Sequence, residues 1–201
     1  MCLFLETIKI HNGRRINLDG HSRRMNDTRN HHFQEIRNID LKQVIEVPLE
    51  FRIGIVKCRV LYGRMIERIE FEHYVFRQPQ SFKMVDGNKL NYTYKYADRS
   101  SLKELYNQRG KADDILIFKN GLLTDSFYAN VAVLKNGIWY TPNQPLLEGT
   151  YRSKLLMNEK LVKANISKET IHSFHRIKLF NALLEWTGHD SVVIQRNVSL
   201  F

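Results

Sequence analysis

The sequence has only two cysteines, Cys2 and Cys58, in 201 residues. That pair builds neither a disulfide framework nor a recurring metal motif, so no metal site is expected and a cytoplasmic setting is the default. No apolar run approaches the roughly 20 residues that a membrane span needs. The opening MCLFLETIKI lacks a basic n-region and a clear cleavage site, so no signal peptide is read there. The sequons at Asn91 and Asn197 then carry no consequence. Also missing are internal repeats, low-complexity stretches, a basic tail and any RNA-binding signature.

The chain does carry charge, with 31 Lys and Arg against 21 Asp and Glu and a net charge of +10. Those cations are scattered through every segment, which reads as a solvated surface rather than a nucleic-acid footprint. A basic surface suits an enzyme that gathers anionic ligands and carboxylate substrates. Hydrophobic residues make up 43%, enough for a sizeable core.

Periodicity divides the chain into a small lobe over 1–78, a linker over 79–89 and a larger lobe over 90–201. LFLETIKI alternates like a strand, HNG turns, and RRINL returns. Asp19 is placed to cap a polar helix, HSRRMNDTRNHHFQEI, with a further short helix or turn around Leu41 to Val44. FRIGIVKCRVLYG and RMIERIEFEHYVF read as strands joined through Gly63. RQPQSFKMVDGNKL reads as a linker by its Pro, Gly, Ser and Asn. In the larger lobe, DDILIFKN, FYANVAVLKN and GIWYTP read as strands. SSLKELYNQR and TYRSKLLMNEKLVKAN read as helices, Ser167 and Thr170 start a short helical or extended piece, and FNALLEW and SVVIQR close the chain as apolar segments. The class is α+β.

The chemistry concentrates in one stretch, Lys89 to Leu156. Lys95 lies in YKY, where aromatic neighbours can desolvate an amine, lower its pKa and make it a nucleophile. Asp125 interrupts an apolar pattern, and a carboxylate on a strand can hold a protonated ring nitrogen. In LLEGTYR, Gly149 turns into a helix, and such a terminus can cradle a phosphate. Each feature has a plainer reading: a surface lysine with a covered stem, a turn aspartate, a simple turn glycine. Taken in order, they are the three grips that pyridoxal phosphate needs. His31 and His32 are adjacent, so on a helix they diverge, and they read as surface residues.

The ordered set YKYADR, DDILIFKNGLLTDSFYANVAV, WYTP and LLEGTYR resembles the class IV aminotransferases, the fold-type IV pyridoxal phosphate enzymes. The family includes branched-chain and D-amino-acid aminotransferases and 4-amino-4-deoxychorismate lyase, and the lyase is the nearest echo. The resemblance implies a two-lobed fold with the cofactor between the lobes, a homodimer, and a small amino substrate bearing a carboxylate. It implies Lys95 as the lysine that bonds the cofactor aldehyde, with Lys89 and Lys103 off the matched position. It implies Asp125 on the pyridinium nitrogen, where the family normally has Glu. Arg24, in HSRRM, would hold the phosphate, with Arg23 the nearby alternative. Gly149 and Thr150 would add backbone N–H groups, and Asn181 and Ala182, in FNALL, a second phosphate-side segment. Arg99 and Tyr94 are the substrate-side candidates, and Asn130 is expected to shape the strand beside the carboxylate. Family members carry a further strand before the FLET-like one, so a more open pocket is expected. The reaction read here is the lyase. An amino-acid transaminase stays open, as does a cofactor-binding protein with impaired catalysis, motivated by Asp125.

Overall fold

A computed structural model describes residues 2–35, 37–76, 78–184, 186, 191–194 and 198–199. The chain forms two compact units, Met1–Phe76 with Tyr94–Asp98, and Arg77–Thr93 with Arg99–Phe201.

The first unit holds β1 (Phe4–His11), β2 (Arg14–Arg15), α1 (Leu18–Phe33), α2 (Leu41–Val44), β3 (Ile55–Tyr62) and β4 (Ile66–His73). The sheet order is β2-β1-β3-β4, antiparallel throughout. Asn12 and Gly13 both take positive φ, as a two-residue hairpin turn requires. On β1, Phe4, Ile8 and Ile10 are fully buried and meet Val56, Cys58 and Val60 of β3 and Met25 of α1 in one core. Burial lifts the Cys58 thiol to about 12, so it stays an inert core residue.

Helix α1 is poor in apolar residues and is fastened by polar ones. Its buried face is His21, Met25, Thr28 and Arg29. Arg29 donates to the carbonyls of Arg64 and Arg37, each at 2.9 Å. Asp19 is not the N-cap. The helix begins earlier, at Leu18, with Asn17 as the cap residue in a left-handed conformation. Asp19 instead lies in the first turn, where its charge complements the helix dipole.

The second unit holds β5 (Phe82–Asp86), α3 (Ser100–Asn107), β6 (Asp114–Lys119), β7 (Leu122–Ser126), β8 (Asn130–Lys135), β9 (Ile138–Pro142), α4 (Thr150–Met157), β10 (Val162–Ala164), β11 (Arg176–Phe180), β12 (Val192–Val193) and β13 (Val198–Ser199). The order β10-β9-β8-β7-β6-β5-β13 forms the main path, with β11 also on β8 and β12 on β11. Mixed pairing beside short helices makes the class α+β, as the sequence indicates.

Three segments differ from the sequence reading. Within the stretch read as a linker, Phe82–Asp86 is a strand parallel to β6, with Phe82, Met84 and Val85 buried. Its Pro, Ser, Gly and Asn residues flank the strand rather than interrupt it. The long helix expected from Thr150 stops at Met157. Glu159 then takes a left-handed φ of 55°, and Val162–Ala164 pairs parallel to β9. The strand expected from Phe127 begins only at Asn130. A turn precedes it, closed by Ser126 N–H donating to the Ala129 carbonyl at 2.9 Å, and β7 is a strand of its own. The short piece expected from Ser167 is a 3-10 turn at Ile171–Ser173, and the end of SVVIQR lies outside the described residues, as does Asn197.

Candidate active site

In the first unit, Lys95 sits on the outer edge of β1. Its carbonyl accepts the Leu5 N–H at 2.9 Å, the Ala97 N–H donates to the Leu3 carbonyl at 2.9 Å, and Phe4 pairs with Tyr96. The Tyr96 N–H donates to the Tyr94 carbonyl at 2.9 Å, which makes Lys95 the centre of a three-residue turn. The lysine backbone is therefore held from both sides, and the residue is half-buried. Tyr94 and Tyr96 anchor the turn. Both rings pack near Phe4, and Tyr94 stacks on His31 at 5.1 Å and meets His32 edge-on at 4.4 Å. His31 is exposed, but His32 is part of this aromatic cluster rather than a surface residue. Among the described residues, no group of three His, Cys, Asp or Glu could hold a metal ion.

Glu6 is the residue that sequence reasoning missed. It is fully buried on the Phe4–Ile8 face of β1. Arg24 donates to it through Nε at 2.9 Å and Nη2 at 2.6 Å, and His21 Nδ1 lies 2.7 Å from Oε2. Burial opposes its charge, but Arg24 and His21 outweigh that and hold the carboxyl down at about 2. Burial drives His21 the other way, below its ordinary value, against the pull of Glu6, and the Lys95 amine adds to that lowering. The group is thus an ionised Glu6 beneath a neutral His21 and a charged Arg24. A glutamate at an otherwise apolar strand position, FLETIKI, was the available signal. The i, i+3 spacing brings His21 and Arg24 together on Glu6, and Arg23 is exposed.

In the second unit, β7 and β8 pair only through Asp125 and Asn130. β11 runs along one edge of β8, so β7 and β9 share the other, and the sheet forks where Asp125 sits. Asp125 is 5% exposed. Its Oδ1 accepts from Asn130 Nδ2 at 2.7 Å and its Oδ2 from the Leu147 N–H at 3.0 Å. Burial raises the carboxyl to about 7, even though both donors and the Arg152 charge oppose the rise. A cation at this carboxylate would relieve that cost.

Asn130 Nδ2 also donates to the Leu147 carbonyl at 3.0 Å, so one amide ties the loop before α4 to the fork. Gly149 caps α4, and a Cβ there would collide with Asn130 Oδ1. The glycine is needed for that close approach. Thr150 is buried at the positive end of α4, a setting that favours phosphate. Buried Arg152 braces the turn, donating to the Pro142 carbonyl at 2.8 Å and to Glu148 at 2.5 Å.

Asn181 and Ala182 follow β11. The Asn181 amide is engaged locally, accepting from Leu183 and Leu184 N–H and donating to the Tyr128 carbonyl at 3.4 Å. Arg99 Nη2 donates to the Phe127 carbonyl at 2.5 Å. The expected residues therefore fall into two sets: Lys95, Arg24 and Tyr94 in the first unit, and Asp125, Gly149, Thr150, Asn181, Ala182 and Arg99 in the second.

Residues 92–192 match the amino-transferase class IV family. An uncharacterized protein of Haemophilus influenzae is 33% identical over 180 residues, which is 89% of this chain and 96% of that protein. The crystal structure of a “putative 4-amino-4-deoxychorismate lyase” from Haemophilus somnus superposes with a TM-score of 0.83 at 29% identity, covering 91% of this chain and 97% of that one. A hypothetical aminotransferase from Mycobacterium tuberculosis, solved in a PLP-bound form, shares the fold with a TM-score of 0.72 at 15% identity, over 90% of this chain and 78% of that one. The fold is that of the fold-type IV pyridoxal phosphate enzymes, and the chain belongs to the class IV aminotransferase family.

Proposed function

We propose that this chain is a pyridoxal-phosphate-dependent lyase that converts 4-amino-4-deoxychorismate to 4-aminobenzoate and pyruvate. The observation that carries this reading is the near full-length likeness to the Haemophilus somnus protein of that name. The residues fit the cofactor. Asp125 is a buried carboxylate whose ionisation is costly without a cation, and Gly149 lets Asn130 Oδ1 close on the start of α4, whose N-terminus can face a phosphate. Lys95 and Arg24 would hold the aldehyde and phosphate ends, Asp125 the ring nitrogen, and the Gly149–Thr150 helix terminus the phosphate. When bound, the cofactor supplies an electron-withdrawing ring conjugated to the substrate's nitrogen.

The chain's own residues then have defined tasks. The Lys95 amine takes the proton from the ring carbon that bears the amino group. The bond from the ring to the enolpyruvyl oxygen breaks, and the ring becomes aromatic, which drives the step. The same proton is returned to the methylene carbon of the departing group, giving pyruvate. Arg24 stays fixed by Glu6 throughout, so orientation costs no reorganisation. The basic surface draws in the two carboxylates of the substrate.

The test supplies the purified chain with pyridoxal phosphate and aminodeoxychorismate but no keto acid. Formation of 4-aminobenzoate and pyruvate in equal amounts is expected. The second reading is an amino-acid transaminase, favoured by the family match itself. Rapid loss of the cofactor's visible band with a branched-chain or D-amino acid, restored by 2-oxoglutarate, would install it. Cofactor uptake with no turnover in either assay would leave a binding protein. We place the enzyme in the cytoplasm as a homodimer. No helix among the described residues is long and apolar enough to cross a membrane, and a cofactor-loaded monomer in light scattering would refute the assembly.

A further inference from the structure

We propose that Arg99 is a positioning residue, which grips the turn between β7 and β8 and so fixes Asp125 against Asn130, rather than a contact for substrate. The inference rests on the functional reading above only for what Asp125 does. The grip itself is read from side-chain geometry within the second unit.

The turn runs from Ser126 to Ala129. Ser126 closes it twice, through its N–H to the Ala129 carbonyl at 2.9 Å and through Oγ, which lies 3.2 Å from both the nitrogen and the carbonyl of Ala129. Asp125 and Asn130 flank the turn and form the single register pair of β7 with β8. A shift of the turn therefore moves the carboxylate and its amide partner relative to each other. No second ladder pair holds them.

Side chains from outside reach carbonyls of this turn, and the Asp114 carboxylate meets the Phe127 backbone and the Ser126 side chain on it. Asn181 meets Tyr128 at a weak 3.4 Å, and Arg99 Nη2 meets Phe127 at 2.5 Å. The Arg99 guanidinium also lies over the Phe127 ring, 4.6 Å from its centroid, and that ring stacks on Tyr106 of α3 at 4.3 Å. Arg99 thus immediately precedes α3 and clamps Phe127 by backbone and ring together. Its Nε is buried and has no acceptor among the described residues. A guanidinium aimed at a substrate carboxylate would offer its two-donor fork to that ligand. Here one arm is committed to a backbone carbonyl and the plane to a ring.

The test uses the full chain with Arg99→Met, which keeps an apolar stem near the ring but no donor, and Arg99→Lys, which keeps one point charge. The first readout needs no cofactor: NMR titration of carboxyl-labelled aspartates, with the Asp125 signal identified by Asp125→Asn. The Asp125 midpoint in Arg99→Met is expected to fall by about one pH unit or more, as water enters the loosened fork. Pyridoxal phosphate affinity, read by tryptophan fluorescence, should weaken about tenfold, the scale of one charged hydrogen bond. Arg99→Lys should lie between. In turnover kcat should fall while KM stays within about twofold. An unchanged Asp125 midpoint and unchanged cofactor affinity, with a raised KM, would overturn the proposal and make Arg99 a substrate contact. If Arg99→Met does not fold, Arg99→Lys carries the same readouts, and an unchanged midpoint there also overturns it. Should the native chain take up no pyridoxal phosphate, the functional reading fails, while the Asp125 midpoint still decides the grip.

Discussion

Arg24 meets Glu6 as a fork, with Nε on one carboxylate oxygen at 2.9 Å and Nη2 on the other at 2.6 Å. Glu6 is fully buried, so the pair is held in a medium where a lost partner is costly. The guanidinium is therefore aimed before any ligand arrives. An arginine used this way brings orientation as well as charge to a phosphate.

That fork sets a contrast between neighbours. Arg24→Ala should weaken pyridoxal phosphate binding by about 1.5–3 kcal/mol, the scale of a charged hydrogen bond, and also destabilise the chain by leaving Glu6 buried without it. Arg23→Ala should do little, because Arg23 is exposed. A cofactor titration with a parallel thermal melt of both variants checks this. Equal losses would remove the assignment.

For Lys95, replacement by Ala should leave the fold intact and abolish the lysine-linked visible band. The residue's backbone, rather than its amine, makes the bond to Leu5, and its neighbours Tyr94 and Tyr96 close the turn around it. Borohydride reduction followed by peptide mapping gives the answer. A reduced cofactor adduct on another lysine would reject the assignment.

Two carboxylates predict opposite pH slopes for the apo protein. Glu6 is held at about 2 against an ordinary 4.5, so its contribution is full above 4.5 and lost as pH falls toward 2. By proton linkage that contribution is on the order of 3 kcal/mol. Asp125 is raised from 3.8 to about 7, so stability falls as pH rises through that window. Asp114, raised by burial from 3.8 to about 6, adds to the same fall up to about pH 6 and not above it. Denaturant unfolding from pH 3 to 8 should show the Asp125→Asn variant losing the downward slope between pH 6 and 7. A slope there that persists unchanged would mean the carboxylate is ionised in the apo fold.

Gly149→Ala tests the close approach at the fork. The backbone there is extended, a conformation that suits alanine, so any cost is steric. The new Cβ would run into Asn130 Oδ1 and push the amide from Asp125. A loss of about 1–3 kcal/mol is expected from such overpacking, with weaker cofactor binding. Wild-type melting and binding together would show that Asn130 can simply step aside.

Local patterns carried much of this protein. Alternation in FLETIKI, the Asn12-Gly13 turn and the apolar DDILIF follow from neighbours in the chain, and so are legible without a fold. The order of YKYADR, TDSFYANV and LLEGTYR was enough to indicate the family. Tertiary structure alone decided which polar groups meet. Phe82–Asp86 became a strand because β6 offers it a parallel ladder, which flanking Pro and Gly cannot announce. Glu6 gained its place because Arg24 and His21 arrive from α1, eighteen and fifteen residues away in sequence. Asp125 owes its raised pKa to burial at the fork, where Leu147 and Asn130 close over it, and Arg99 its grip to a carbonyl 28 residues on. Desolvation and hydrogen-bond geometry depend on groups distant in sequence, so the chain's order names the candidates and only the packing assigns their surroundings.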